Sequence, residues 1–85
     1  MKKTISITLK LFSSIPRDLG LPDYDPAKGL HLSVPSGVRL KKVLKDMGLT
    51  KLSSYAYFRQ GERITHWAKL ADGDEISCLK PSSGG

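Results

Sequence analysis

One stretch of this chain has helical periodicity, and it has no second. Leu40, Val43, Leu44 and Met47 stand at i, i+3, i+4 and i+7, a single apolar stripe, with Arg39, Lys41, Lys42, Lys45 and Asp46 on the remaining faces. Gly48 follows as a natural helix stop. No Ser, Thr, Asp or Asn sits directly before the stripe, and the basic residues of its first turn oppose the helix dipole. The helix start is therefore expected near Val38 to within about two residues.

The other apolar runs alternate with period two, as half-buried strands do. Ile5, Ile7, Leu9 and Leu11 share one face of a first strand, and Thr4, Ser6, Thr8 and Lys10 share the other. Leu30, Leu32 and Val34 give a second strand, stopped by Pro35-Ser36-Gly37. Tyr55 to Arg59 reads as a third, followed by a tight turn at Gln60-Gly61-Glu62 and a short return at Arg63-Ile64-Thr65. Trp67 and Leu70 are expected as apolar anchors, and Ala71-Asp72-Gly73-Asp74 as a turn. Glu75 to Lys80 is the last strand, with Ile76 and Cys78 inward. Residues 13–29, with Pro16, Gly20, Pro22, Pro26 and Gly29, read as a loop pinned by Leu19, Leu21 and Tyr24. That loop is long for a compact domain, as either a surface excursion or a partner-binding loop would be.

Five strands and one amphipathic helix cannot cover a sheet on both sides. The fold class expected is α+β, a mixed sheet of four to five strands with one helix packed on one face. A hairpin, a crossover helix and further strands beside it make a β-grasp arrangement, with the first and last strands parallel at the centre. Residues 1–80 would form this domain and residues 81–85 a flexible tail. At 85 residues the chain buries only about 60% of its unfolded surface, enough for one core.

Much chemistry is excluded by what the sequence lacks. One cysteine, Cys78, rules out an internal disulfide and an all-cysteine metal or iron–sulfur site. There is no phosphate-binding loop, dinucleotide fingerprint or paired-histidine helix motif. His31 and His66 are isolated, and Asp72, Asp74 and Glu75 read as turn and strand-start chemistry. No metal and no bound cofactor are expected. No apolar run approaches the ~18 residues of a membrane span, so no membrane partner is expected. Met1-Lys2-Lys3 leads into an alternating stretch without a small-residue cleavage site, and the reducing cytoplasm is the compartment expected. The balance of 14 basic to 8 acidic residues, net +6, raises nucleic acid as a partner. The absence of an interleaved basic and aromatic stripe argues against that partner. The basic helix face, Lys41, Lys42 and Lys45, is either solvated or met by an acidic partner.

The end of the sequence is its unusual feature. Pro81 stops the last strand, Ser82 and Ser83 follow, and Gly84-Gly85 carries a carboxylate on residues without side chains. Glycine allows close approach of another backbone, so such a tail can thread a narrow channel. The run Ala71-Asp72-Gly73-Asp74-Glu75-Ile76, the following strand, the proline and the terminal diglycine, with Val34-Pro35-Ser36-Gly37-Val38 leading into the helix, resemble the MoaD/ThiS sulfur-carrier family. The chain is more similar to the molybdopterin synthase small subunit than to thiamine-type carriers, because of the proline at the strand-to-tail junction. Two features differ from that pattern: Lys80-Pro81-Ser82-Ser83 has no second proline, and the chain is basic.

The resemblance implies a ubiquitin-like β-grasp protein that is a co-substrate rather than an enzyme. An activating enzyme of the ubiquitin-activating type, using ATP and magnesium, would adenylate Gly85. Sulfide or a persulfide from a sulfur donor protein would leave a thiocarboxylate there. An acceptor synthase large subunit would take the sulfur, in molybdopterin or tungstopterin cofactor synthesis. Gly84 would give clearance, and Pro81, Ser82 and Ser83 would steer the tail. Phe58, Leu79 and Tyr57 are the expected docking patch, with Arg59 on its charged rim. The alternatives are a ubiquitin-like modifier joined through Gly85 to lysine, a thiamine-type sulfur carrier, and a plain interaction module.

Overall fold

A computed structural model describes residues 3–21 and 23–81. Its elements run β1 (Thr4–Leu11), α1 (Ile15–Asp18), β2 (Leu30–Pro35), α2 (Leu40–Met47), a 3-10 turn (Leu52–Ser54), β3 (Ala56–Arg59), β4 (Glu62–Ile64) and β5 (Glu75–Leu79). The five strands form one sheet in the order β2-β1-β5-β3-β4. β1 is antiparallel to β2 and parallel to β5, with Leu9 opposite Ile76 and Leu11 opposite Cys78. β3 is antiparallel to both β5 and β4. The first and last strands thus lie side by side at the centre, as the order of periodicities predicts.

The alternation of β1 works as a sorting device. Ile7, Leu9 and Leu11 are buried on the helix side, and Thr4 and Ser6 are exposed on the other. Leu40, Val43 and Leu44 of α2 close over them, joined by Ile76, Cys78, Tyr57, Leu70, Leu49 and Leu52 in one core. Burying an aliphatic side chain of this kind contributes about 1.5–3 kcal/mol. No polar or charged residue is buried among the described residues.

The start of α2 shows how a helix forms without a side-chain cap. Arg39 is the cap residue and makes no capping side-chain bond. The orphan amides find main chain instead: Leu40 N donates to Ala68 O at 2.9 Å and Lys41 N to His66 O at 2.7 Å. Leu70 N returns a bond to Val38 O at 2.9 Å. Residues 66–70 therefore form a strap across the helix end, which sequence periodicity does not reveal. At the other end Gly48 takes φ 111, a left-handed value that glycine adopts without a Cβ clash.

Two expectations are corrected here. Residues 13–29 are not all loop, because Ile15–Asp18 form one helical turn with Pro16 at its start, and Ile15 is fully buried. A four-residue turn is too short for helical periodicity to register. Trp67 is not an apolar anchor: it is 54% exposed, while Leu70 is buried as expected. Leu19, Leu21 and Tyr24 do pack on the core, and the Tyr24 hydroxyl accepts a bond from Leu11 N at 2.7 Å. β4 begins at Glu62 rather than Arg63, because the turn needs only Gln60 and Gly61, both at positive φ.

Candidate functional site

β5 is the central strand whose C-terminal end leads to the tail, so its neighbours set where the tail leaves the domain. On one side, Phe12 N donates to Cys78 O at 3.0 Å, extending the pairing with β1. On the other, Ala56 of β3 stands opposite Leu79. One residue further on, Lys80 Nζ donates to Asp18 Oδ2 at 2.6 Å and to Ser14 Oγ at 2.8 Å. The α1 turn thus clamps the residue before Pro81. The Lys80 hydrogen bond is the main reason the Asp18 carboxyl lies below its ordinary value. Pro81 is exposed, and Ser82, Ser83, Gly84 and Gly85 lie outside the described residues.

The sheet face away from α2 carries the expected docking residues. Phe58 pairs with Ser77, and Ala56 with Leu79, so Phe58 and Leu79 share the open face. Both are half-buried. With Phe12, Gln60, Glu75 and Ser77 they line a shallow depression of about 420 Å³ beside the root of the tail. Phe12 was not among the expected docking residues. It falls just past the alternating stretch, yet it is 40% exposed on this surface. A second depression, of about 680 Å³, lies between Phe12, Leu11, Pro16, Arg17, Leu21 and Tyr24.

Two expected members of the patch are elsewhere. Tyr57 is only 2% exposed and its hydroxyl donates to Leu52 O at 2.6 Å. It faces the core because it stands opposite Cys78, and burial raises its hydroxyl pKa above the ordinary value. Arg59 stands opposite Ile76, on the helix side. Its guanidinium donates to Asp74 Oδ2 at 3.1 Å and to Lys69 O at 3.0 Å, so it braces the turn before β5 rather than rimming the open face.

The remaining reactive side chains have structural employment. The Cys78 thiol is buried and pushed up to about 12 by that burial. Asp72 accepts a bond from Ser6 N at 2.8 Å, and Asp74 one from Ala71 N at 2.8 Å, so these two carboxylates hold a turn. His31 meets Thr8 across β1 and β2, and His66 packs edge-on to Tyr57. No group of side chains among the described residues is arranged to hold a metal ion. Among those residues, too, no helix is long and apolar enough to cross a membrane.

No protein-family model matches the chain, and no curated protein matches its sequence. Solved structures do match. The Haloferax volcanii HVO 2177 protein superposes with a TM-score of 0.70 at 19% identity, over 96% of this chain and 88% of that one. Molybdopterin converting factor, subunit 1, as a Pyrococcus furiosus chain is described, gives 0.66 at 14% identity, over 92% and 99%. Small archaeal modifier protein 1 from Methanosarcina acetivorans gives 0.60 at 20% identity, over 98% and 99%. The fold is the ubiquitin-like β-grasp. At these identities the likeness is one of fold. It extends over nearly all of the β-grasp domain and nearly the whole length of these neighbours.

Proposed function

We propose that this β-grasp chain is a sulfur carrier and that Gly85 is its point of attachment. The observation that carries the reading is the position of β5. It is a central strand, clamped at its end by Lys80, and the sequence beyond it runs through Pro81 to Gly84-Gly85. In this reading a partner adenylates the Gly85 carboxylate with ATP and magnesium, releasing pyrophosphate. Sulfide then displaces AMP and leaves a thiocarboxylate. If a persulfide attacks instead, the product is an acyl disulfide, which a thiol must reduce to the same thiocarboxylate. The domain supplies no acid or base. It presents the tail, and Phe58, Leu79 and Phe12 on the open face offer the partner an apolar seat. Among the neighbours, the Pyrococcus furiosus chain supports molybdopterin or tungstopterin cofactor synthesis as the destination of the sulfur.

A second reading is transfer of the same acyl group to a lysine amine. It is favoured by the neighbours named small archaeal modifier proteins. The two share the activation step and part only at the acceptor.

The test is the intact mass of the chain after incubation with ATP, magnesium, the host's activating enzyme and a sulfur donor. Exchange of one oxygen for sulfur, absent in a variant lacking Gly85, is the result expected. An unchanged mass with a demonstrably active enzyme overturns sulfur carriage. Lysine conjugates in that case support the modifier reading.

A further inference from the structure

Among the described residues two large apolar side chains are exposed, Phe12 at 40% and Trp67 at 54%. Phe12 belongs to the open face already described. Trp67 does not, because it lies on the helix side at the N-terminal end of α2. Its main chain is needed there: Trp67 O accepts the Arg39 guanidinium at 2.7 Å, within the strap that holds the helix start. Any residue could serve in that way. The indole itself is outside the hydrophobic core.

The indole has the His66 ring on one flank, 5.6 Å between centroids, and a cation over it. Lys41 Nζ sits 3.5 Å from the centre of the ring, over one face. Arg39 is anchored on the Trp67 carbonyl, and its main chain bridges to that of Lys69 in the strap. Lys45 follows Lys41 by one helical turn on the same side. Asp46 pairs with Lys42 and Asp74 with Arg59. Among the described residues Lys41, Lys45 and Lys69 have no carboxylate partner. An exposed tryptophan under a cation, with further unpaired lysines on the adjoining helix and strap, has the form of an interface anchor with a charged rim.

We propose that this surface, centred on Trp67, docks an acidic segment of a partner protein, with an apolar side chain of that segment against the exposed part of the indole. Charge complementarity sets the sign of the partner. The arrangement of the aromatic rings decides between protein and nucleic acid. Single-stranded nucleic acid is gripped by successive stacking platforms. Here Lys41 already covers one face of Trp67, and the neighbouring His66 ring, 5.6 Å away, is half-buried and packed edge-on to Tyr57, so the two rings do not form a row of open platforms. The surface is on the opposite side of the sheet from Phe58 and Leu79, so a partner seated on it leaves the open face free. The inference goes beyond the tail chemistry proposed above and needs none of it.

Trp67 is the sole tryptophan, so its fluorescence reports on the surface directly. The probe is an octapeptide of Asp and Glu containing one Leu and one Phe. Its controls are the same peptide with Lys replacing the acids, and an oligothymidylate of equal charge. The expected result is saturable, salt-sensitive shielding of Trp67 from acrylamide by the acidic peptide alone. Exchanging Lys41 and Lys69 for Glu should weaken binding about tenfold, as expected for a few exposed ion pairs lost together. A chain lacking Gly84 and Gly85 should bind unchanged, which separates this surface from the tail. Calorimetry on Trp67→Ser, whose folding is checked by circular dichroism, should show the binding lost. Tighter binding of the oligothymidylate overturns the proposal in favour of nucleic acid. Shielding by neither anion, or binding that Lys41→Glu and Lys69→Glu leave untouched, overturns it outright.

Discussion

Lys80 and Asp18 meet at 2.6 Å across 62 residues of sequence, tying the last residue before Pro81 to the α1 turn. Because the Lys80 hydrogen bond is the main cause of the lowered Asp18 carboxyl, Lys80→Met should move that titration up toward 3.8. A carboxyl whose folded pKa is depressed contributes stability above its unfolded value and loses it as pH falls through the folded value. The clamp should thus be intact at neutral pH and open in acid below 3.8. Carbon NMR of the Asp18 carboxyl checks both statements, and an unmoved titration in Lys80→Met would show that the pair does not hold in solution.

Gly29 and Gly61 take nearly the same backbone angle, φ 75 and 79, but sit in different surroundings. A Cβ on Gly61 meets nothing within 4 Å, so Gly61→Ala should cost only the strain of that angle, about 1 kcal/mol. A Cβ on Gly29 would lie 2.9 Å from Thr8 Cγ2 and 3.0 Å from the main-chain oxygen of Leu9. Gly29→Ala must therefore also displace β1, and should cost more than ~2 kcal/mol. Urea midpoints of the two variants should rank them in that order.

Cys78 should be silent toward thiol reagents in the folded protein. Its burial, with the thiol held neutral up to about 12, leaves neither access nor thiolate at physiological pH. Labelling should proceed at the rate of global opening and become fast in denaturant. Rapid labelling under native conditions would contradict the placement of β5.

Phe58 and Leu79 are half-buried on the open face, away from the core. If the activating enzyme seats there, Phe58→Ser or Leu79→Ser should raise KM for the carrier about tenfold or more, as loss of one interface anchor does, and leave kcat near wild type. Folded-state stability should change by no more than ~1 kcal/mol. Steady-state adenylation with each variant checks the split between KM and kcat.

Much of the fold was legible because its elements are periodic. The alternation of Ile5, Ile7, Leu9 and Leu11 and the stripe Leu40, Val43, Leu44 and Met47 were enough to place one sheet under one helix. The faces of Ile76 and Cys78 followed from the same rule. What escaped was set by contacts distant in sequence. Ile15 lies on a turn too short to repeat, and its burial depends on the whole excursion folding back. Tyr57 and Phe58 are adjacent aromatics, and the pairing with Cys78, not their chemistry, decides which one enters the core. Trp67 looked like an anchor because it is apolar, but the strap uses its carbonyl and leaves its ring outside. The tail was legible as composition alone, and Ser82, Ser83, Gly84 and Gly85 stay beyond the described residues.

The parallel pairing of β1 with β5 also governs how the chain is made. Thr8 waits for Glu75, and Leu11 for Cys78, so the middle of the sheet has an empty slot until the final strand has been synthesised and has cleared the ribosome. Closing a contact of that sequence separation is the slow kind of step, and nothing N-terminal can substitute for it. Nascent chains halted near Leu70 should therefore stay open and protease-sensitive. Chains that include Leu79 should fold once that strand has emerged, so that a folded domain always has its last strand in place.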